Sequence, residues 1–508
     1  MASQTILVAL GLLASWPAAG TAQQSEDELS LLQQRLAVSH QGGGTGGAAP
    51  AARSPAPARE HYWPHARGHA SRYSFTPYTR SPGDLNKSLA WSWHAPTFNT
   101  VIWGSLIDSQ RNVYVASVTG IWKLSPTGQQ LWYYSGVSEM PTLVGDALIG
   151  MNMYTCLFFA LSLETGSVLW SRKIWPDNGV HGDFVEVHNG VAVVAVGGAL
   201  NLGSGSESTH AAGVSARDGS LLWSFKTDCG LWNIMALFPD NETAVFSDKC
   251  GGTYRVGLQN GTVLWKVAGN PQSFTDGGSI LGPNGNLYTC SNPAGSFGHV
   301  EQPGVLRKRR ISDGALLWEV PLPMPCVNFP AVSWDGRSVV VAPGPLSDAA
   351  KSKEARNLPL AEREKFFNTQ LQLVSQNLQR SAYLLPNLDA AIMSFDTDTG
   401  ALQWRHDVRP FGGIAFAGDE FRAVYAIRHG LGLEHCWPAH WSAPTLDREG
   451  TVYIGRSSGD LYVYNPQKGV ESTFHTGDGT MMAGAAFAPG LIVFSTCSSV
   501  YAFHAPAA

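Results

Sequence analysis

The amino-acid sequence predicts an all-β fold, an eight-bladed β-propeller whose blades are four-stranded antiparallel sheets. Three observations predict it. The 508 residues include 55 Gly and 17 Trp but only 14% charged residues, which is typical of many short strands joined by tight turns. A six-residue motif recurs six times, each copy behind alternating strands. The two ends of the chain supply the parts of one further blade.

The recurring motif consists of a turn residue, a glycine and, four residues after the glycine, a tryptophan. Glycine suits the turn because it accepts the positive φ that a tight hairpin needs. The copies are TGQQLW, TGSVLW, DGSLLW, NGTVLW, DGALLW and TGALQW, which end at Trp132, Trp170, Trp223, Trp265, Trp318 and Trp404. A seventh, degenerate copy is KGVESTF, in which Phe474 stands one place beyond the usual tryptophan position. These copies predict seven blades.

The eighth blade is predicted to combine both ends of the repeat region. The C-terminal AAFAPGLIVFSTCSSVYAFHA reads as three strands, and the N-terminal SLAWSW, ending near Trp93, reads as a fourth. Pairing them closes the ring and removes two free sheet edges. Two segments are predicted insertions: 345–389, with a helix from Pro359 to Tyr383, and 411–441, for which a ninth partial blade is the alternative.

The repeats ALSLETGSVLW and GVSARDGSLLW resemble the pyrroloquinoline-quinone (PQQ) repeat. That family includes quinoprotein alcohol dehydrogenases and the propeller lipoprotein of the bacterial outer-membrane assembly machine. The resemblance covers roughly residues 88–505. It implies that each motif tryptophan docks into the neighbouring blade and locks the ring. This role is carried to Trp91, Trp132, Trp170, Trp223, Trp265, Trp318 and Trp404.

The N-terminal region predicts secretion. Residues 1–22 fit a signal peptide, because an apolar stretch from Ile6 to Trp16 precedes small residues; an uncleaved anchor is the alternative. Residues 23–60 are predicted to hold a short helix and a disordered Gly-Ala-Pro linker, and residues 61–87 an N-terminal arm. No later segment is predicted to span a membrane. The net charge of −5 favours neither nucleic acid nor an anionic membrane as partner. Asn86, Asn241 and Asn260 are glycosylation candidates.

The long insertions and the cysteines are predicted to lie on one face of the disc. Turns between the first and second strands and between the third and fourth are short, whereas the other turns carry the insertions. Seven cysteines suit an oxidising compartment. The expected pairs are Cys229–Cys250 and Cys290–Cys326, with Cys436–Cys497 as a third, and Cys156 is expected to be buried. A run of basic residues, Arg307–Arg310, is predicted to be part of a strand rather than a processing site.

The favoured function is a secreted, non-catalytic propeller whose loop-rich face binds a protein, glycan or small-molecule partner, with no cofactor and no metal. No HExxH or P-loop motif is present in the sequence. The alternative is a PQQ-dependent alcohol or sugar dehydrogenase, for which the resemblance implies PQQ, Ca²⁺ and usually two adjacent cysteines; the sequence contains no Cys-Cys pair. Binding-face candidates are Asp177, Asn178, His181, Asp183, Trp232, Asn233, Asp276, Asn328, His435, Trp437, His440 and Trp441.

Overall fold

The structure is a computed structural model of the whole chain. It describes residues 60–69, 74–96, 101, 103–117, 119–136, 138–152, 155–176, 184–198, 208–231, 234–275, 278–293, 303–326, 328–344, 361–362, 388–411, 417–418, 441–480 and 482–508. Both predicted insertions fall largely outside these residues. The predicted helix over Pro359–Tyr383 does as well, apart from residues 361–362, and stays a prediction.

The strands form eight antiparallel sheets, which are the blades of a β-propeller. Blade one contains β2 (Ser105–Ile107), β3 (Val113–Ala116), β4 (Gly120–Leu124) and β5 (Gln130–Ser135). Blade two contains β6 (Thr142–Val144), β7 (Ala147–Asn152), β8 (Leu157–Ser162) and β9 (Val168–Lys173). Blade three contains β10 (Glu186–His188), β11 (Val191–Val196), β12 (Ser208–Ser215) and β13 (Leu221–Leu231). Blade four contains β14 (Thr243–Ser247), β15 (Thr253–Gly257) and β16 (Val263–Val267), and its innermost strand is reduced to a bridge between Leu237 and Val245.

The next three blades repeat the pattern. Blade five contains β17 (Ser279–Leu281), β18 (Asn286–Ser291), β19 (Val305–Arg310) and β20 (Leu316–Pro321). Blade six contains β21 (Ala331–Val332), β22 (Ser338–Val341), β23 (Leu388–Asp396) and β24 (Leu402–Phe411). Blade seven contains β25 (Thr445–Leu446), β26 (Val452–Gly455), β27 (Asp460–Asn465) and β28 (Gly469–His475). The basic run Arg307–Arg310 therefore lies in a strand, as predicted.

Blade eight joins the two ends of the repeat region. It contains β29 (Ala486–Ala488), β30 (Leu491–Ser495) and β31 (Ser499–His504), with β1 (Leu89–His94) as its outermost strand. Trp93 of β1 lies opposite Val500 of β31 in antiparallel register. A single helical turn, α1 (Leu85–Ser88), leads into β1 and begins with Asp84 as its N-cap. The all-β, eight-bladed architecture predicted from the sequence is confirmed.

The motif tryptophans lie between blades. In five blades the indole Nε1 donates to a backbone carbonyl of the next blade, such as Trp132 to Leu163 O (3.1 Å) and Trp223 to Leu258 O (2.8 Å). The ring lies against the motif glycine of that next blade, so a Cβ on Gly166 would stand 2.7 Å from the Trp132 ring. Glycine is therefore required at this position both for its φ of +72° and for the space the indole occupies.

Candidate functional site

The two faces of the propeller differ in their connections. The bare face carries the turns between first and second strands and between third and fourth strands, such as 108–112 and 163–167. The loop-rich face carries the turns between second and third strands and the links between blades, and the described strands that flank the predicted insertions end at this face. Two glycosylation candidates, Asn241 and Asn260, are exposed in turns of the bare face, and Asn86 is exposed in α1. Their glycosylation stays a prediction.

Most binding-face candidates lie outside the described residues. These are Asp177, Asn178, His181, Asp183, Trp232, Asn233, Asp276, His435, Trp437 and His440. The two described candidates, Asn328 and Trp441, contact each other between blades six and seven. Asn328 Nδ2 donates to the backbone oxygen of Trp441, and Asn328 Oδ1 accepts from the amide of Phe329 at 2.7 Å. Trp441 is buried against Tyr462 and below the guanidinium of Arg456, 5.4 Å from its ring.

Two disulfides lie at the loop-rich face, and both pairings were predicted. Cys229 of β13 is bonded to Cys250 in the turn after β14, and Cys290 of β18 is bonded to Cys326 after β20. Cys497 is also disulfide-bonded, but Cys436 lies outside the described residues, so that pairing stays a prediction. Cys156 is buried, as expected.

Peptide mapping checks these pairings. Without reduction, we expect the peptides that carry Cys290 and Cys326 to appear only as one linked species, and likewise those of Cys229 and Cys250. The reduced and alkylated digest is the control, in which each peptide appears alone. Alkylation of any of these four residues in the unreduced, denatured protein would contradict the prediction.

The axis of the propeller is closed by apolar side chains. Each comes from the residue two places before an innermost strand, and the ring includes Trp103, Met140, Phe184, Phe329 and Ala443, all buried. Phe184 of blade three contacts Trp103 of blade one, with ring centroids 5.9 Å apart, and Phe329 of blade six at 6.1 Å. Because these blades are not neighbours, the side chains meet across the axis. The indole Nε1 of Trp103 is buried there and has no hydrogen-bond partner among the described residues.

The N-terminal arm lies against this ring on the bare-face side, which sequence reasoning missed. Trp63 exchanges two backbone hydrogen bonds with Ile107 of blade one, at 2.9 and 3.0 Å. Pro64 O accepts from the amide of Leu143 in blade two at 2.9 Å. His65 Nδ1 lies 2.9 Å from Glu186 Oε2 of blade three. The arm therefore bridges the innermost strands of three successive blades.

Arg67 lies at the turn of the arm and is fully buried. Its Nη1 donates to Ala483 O of the segment before β29 (3.0 Å), and its Nη2 donates to Pro444 O before β25 (2.7 Å). Its Nε donates to Ser74 Oγ at 3.0 Å as the chain returns along blade seven. No carboxylate of the described residues pairs with it, and burial lowers the pKa of Arg67 to about 9. The arm thus turns between His65 and Gly68 and contacts blades one, two, three, seven and eight.

Two possible oxygen ligands for a metal ion among the described residues, Asn328 and Asp478, already make hydrogen bonds within the chain. Both polar atoms of the Asn328 side chain make hydrogen bonds to the backbone. The buried carboxylate of Asp478 accepts from Thr496 Oγ and from both the amide and the hydroxyl of Ser498. The one described group of three possible metal ligands is Cys229, Asp248 and Cys250, and its two sulfurs form a disulfide.

The comparisons with known proteins agree with the geometry. A family model described as outer membrane protein assembly factor BamB matches residues 90–267. No curated protein matches in sequence. BamB from Moraxella catarrhalis is similar in structure, with 12% identity, a TM-score of 0.51, and coverage of 82% of this chain and 99% of its own.

Two dehydrogenases are similar to the same degree. Quinohemoprotein alcohol dehydrogenase from Comamonas testosteroni shares 10% identity at a TM-score of 0.56, covering 87% of this chain and 80% of its own. A europium-containing methanol dehydrogenase shares 11% identity at a TM-score of 0.54, covering 87% of this chain and 98% of its own. At such identities these likenesses show the fold, while the repeat motif and the family match give its type. The chain is therefore a β-propeller of the PQQ-repeat type.

Proposed function

We propose that this chain is a secreted, non-catalytic propeller whose loop-rich face binds a protein partner, as the description of the matching family model, an outer membrane protein assembly factor, suggests for that family. The observation that carries the proposal is the closed axis. Trp103, Phe184 and Phe329 meet across it, and the arm with Arg67 lies against them on the bare-face side. This arrangement holds the eight blades rigid around a filled centre, which suits a scaffold for surface loops.

The two faces support the same assignment. Exposed Asn241 and Asn260 would place their glycans on the bare face, which leaves the loop-rich face open to a partner. The two disulfides fix loop-rich connections and are compatible with an extracellular location. No helix among the described residues is long and apolar enough to cross a membrane.

A photo-crosslinking experiment tests which face binds. Lys173 is exposed at the loop-rich end of β9, and Glu164 is exposed in the bare-face turn of the same blade. With a photoreactive amino acid at either position in the secreted full-length protein, we expect adducts with a protein from Lys173 and none from the control at Glu164. Adducts from Glu164 alone, or from neither position, would count against the proposal.

The alternative is a PQQ-dependent oxidoreductase, and the observation that favours it is the buried indole N–H of Trp103 on the axis, which has no partner in the described part of the chain. PQQ with Ca²⁺ would supply the redox chemistry when bound. We expect neither cofactor absorbance nor dye reduction after incubation with PQQ and Ca²⁺ over simple alcohols and sugars. A quinoprotein alcohol dehydrogenase loaded in parallel is the positive control. Micromolar or tighter PQQ binding with turnover would establish the alternative instead.

A further inference from the structure

A small pocket lies in the seam between blades four and five, close to the Cys290–Cys326 disulfide. Ser247 of β14 forms one wall. Ser279, Thr289 and Ser291 of blade five form the opposite wall, and the hydroxyls of Ser247 and Ser279 lie 2.8 Å apart across the seam. The Thr289 hydroxyl makes no hydrogen bond within the described part of the chain. The walls therefore present hydroxyl groups rather than apolar side chains.

Two guanidinium groups of strand β19 complete the pocket, those of Arg307 and Arg309. They stand on the same face of the strand because side chains alternate along it. Arg307 donates from Nε to Glu319 Oε2 at 2.6 Å and from Nη1 to Ser291 Oγ at 2.5 Å. Arg309 donates from Nη1 to a backbone oxygen, that of Gly314, at 3.2 Å. One carboxylate thus faces two cations, and the pocket keeps an excess positive charge.

This excess charge lies in a partly buried place. Burial lowers the pKa of Arg309, and the neighbouring charge of Arg307 lowers it further, against an opposing contribution from Glu319. Two like charges in a poorly hydrated seam repel each other, and a bound anion relieves that repulsion. A metal cation would increase it. The chemistry of the walls therefore selects negative ligands that accept hydrogen bonds from guanidinium and hydroxyl groups.

The size of the pocket selects among anions. Its enclosed part has room for about one water-sized particle, which is smaller than a phosphate or a sulfate. We propose that the seam between blades four and five binds a single chloride-sized inorganic anion, held by Arg307, Arg309 and the surrounding hydroxyls. In that position the anion joins the two blades at the loop-rich end. The inference is independent of the proposed partner, because the site lies within one chain.

Thermal unfolding of the purified full-length protein tests the site. Chloride is raised from 5 to 200 mM, with gluconate keeping the ionic strength constant. We expect the midpoint temperature to rise by about 1–2 °C, as mass action predicts for a weak anion site in a domain of this size. The Arg309→Gln variant should lose this rise. Arg310→Gln is the matched control, because Arg310 is exposed on the same strand and pairs with Asp313 outside the pocket.

Crystals grown with bromide supply a second measurement that does not depend on a variant's folding. We expect an anomalous peak between Ser279 and the two guanidinium groups. An equal chloride response in Arg309→Gln, or bromide peaks that avoid the seam, would overturn the proposal. A larger response to sulfate than to chloride, lost in Arg309→Gln, would overturn the assignment to a monatomic anion.

Discussion

Replacing Arg67 with alanine is expected to destabilise the propeller by about 4–5 kcal/mol. The substitution leaves Pro444 O and Ala483 O buried without their donors, and it opens a cavity where the side chain lay. Unfolding in urea, followed by tryptophan fluorescence, measures the loss. We also expect limited proteolysis to cut the variant within residues 60–80, because the arm is no longer held against the ring.

Two further variants separate the causes. Arg67→Met keeps most of the side-chain volume, so it should lose about 2–3 kcal/mol, mainly from the two unsatisfied carbonyls. Arg80→Ala is the control within the arm, because the exposed contact of Arg80 with Glu449 at 3.7 Å contributes little. A loss below 1 kcal/mol in Arg67→Ala would show that the arm hairpin does not stabilise the ring.

The second large effect is expected at the glycine that lies under a motif tryptophan. Gly166→Ala should cost about 2–4 kcal/mol, because the residue has a φ of +72° and its new Cβ would stand 2.7 Å from the Trp132 ring. Gly469→Ala is the matched control. Gly469 occupies the same position in the degenerate seventh copy at a φ of +87°, but no atom lies within 4 Å of its added Cβ. Its cost should therefore be about 1–2 kcal/mol, from backbone strain alone.

A double-mutant cycle assigns the difference to the indole. Trp132→Ala alone removes a large, partly buried contact and the hydrogen bond to Leu163 O. Once the ring is absent, Gly166→Ala should cost only what Gly469→Ala costs. We therefore expect the stability lost in the double variant to be about 1–2 kcal/mol smaller than the sum of the two single losses. Strict additivity, measured by urea unfolding, would mean that the indole and the glycine do not interact.

The repeats allowed the fold to be predicted from the sequence, because the same physical requirement recurs in each blade. A glycine such as Gly166 needs both a positive φ and the absence of a side chain under an indole, so turn and tryptophan stay in fixed register. The disulfide partners were readable for a related reason. Once strands are placed, Cys229 and Cys250 come to one end of neighbouring blades.

The packing of the arm and the pocket between blades four and five could not be predicted from the repeats. Arg67 bonds to Ala483, 416 residues away, and no periodic pattern connects the two positions. The sequence feature that could have indicated the arm's packing role is its density of large side chains. Trp63, His65 and Arg67 lie within five residues of one another. In the sequence, Arg307 and Arg309 are visible only as part of a basic run. Which seam their side chains face depends on the register of the strands, which the structure supplies. The candidate residues on the insertions follow no repeat at all.

The contact between Arg67 and Ala483 also fixes the order in which the protein can mature. At ribosomal speeds of about 5–20 residues per second, the arm and β1 emerge roughly 20–80 s before the chain they bind. Until then β1 presents an unpaired strand edge, and the segment around Trp63 presents apolar surface to the surroundings. A chain that stops before residue 483 therefore cannot close the ring. In such a chain β1 has no β31 to pair with, and the guanidinium of Arg67 cannot reach all of its final partners.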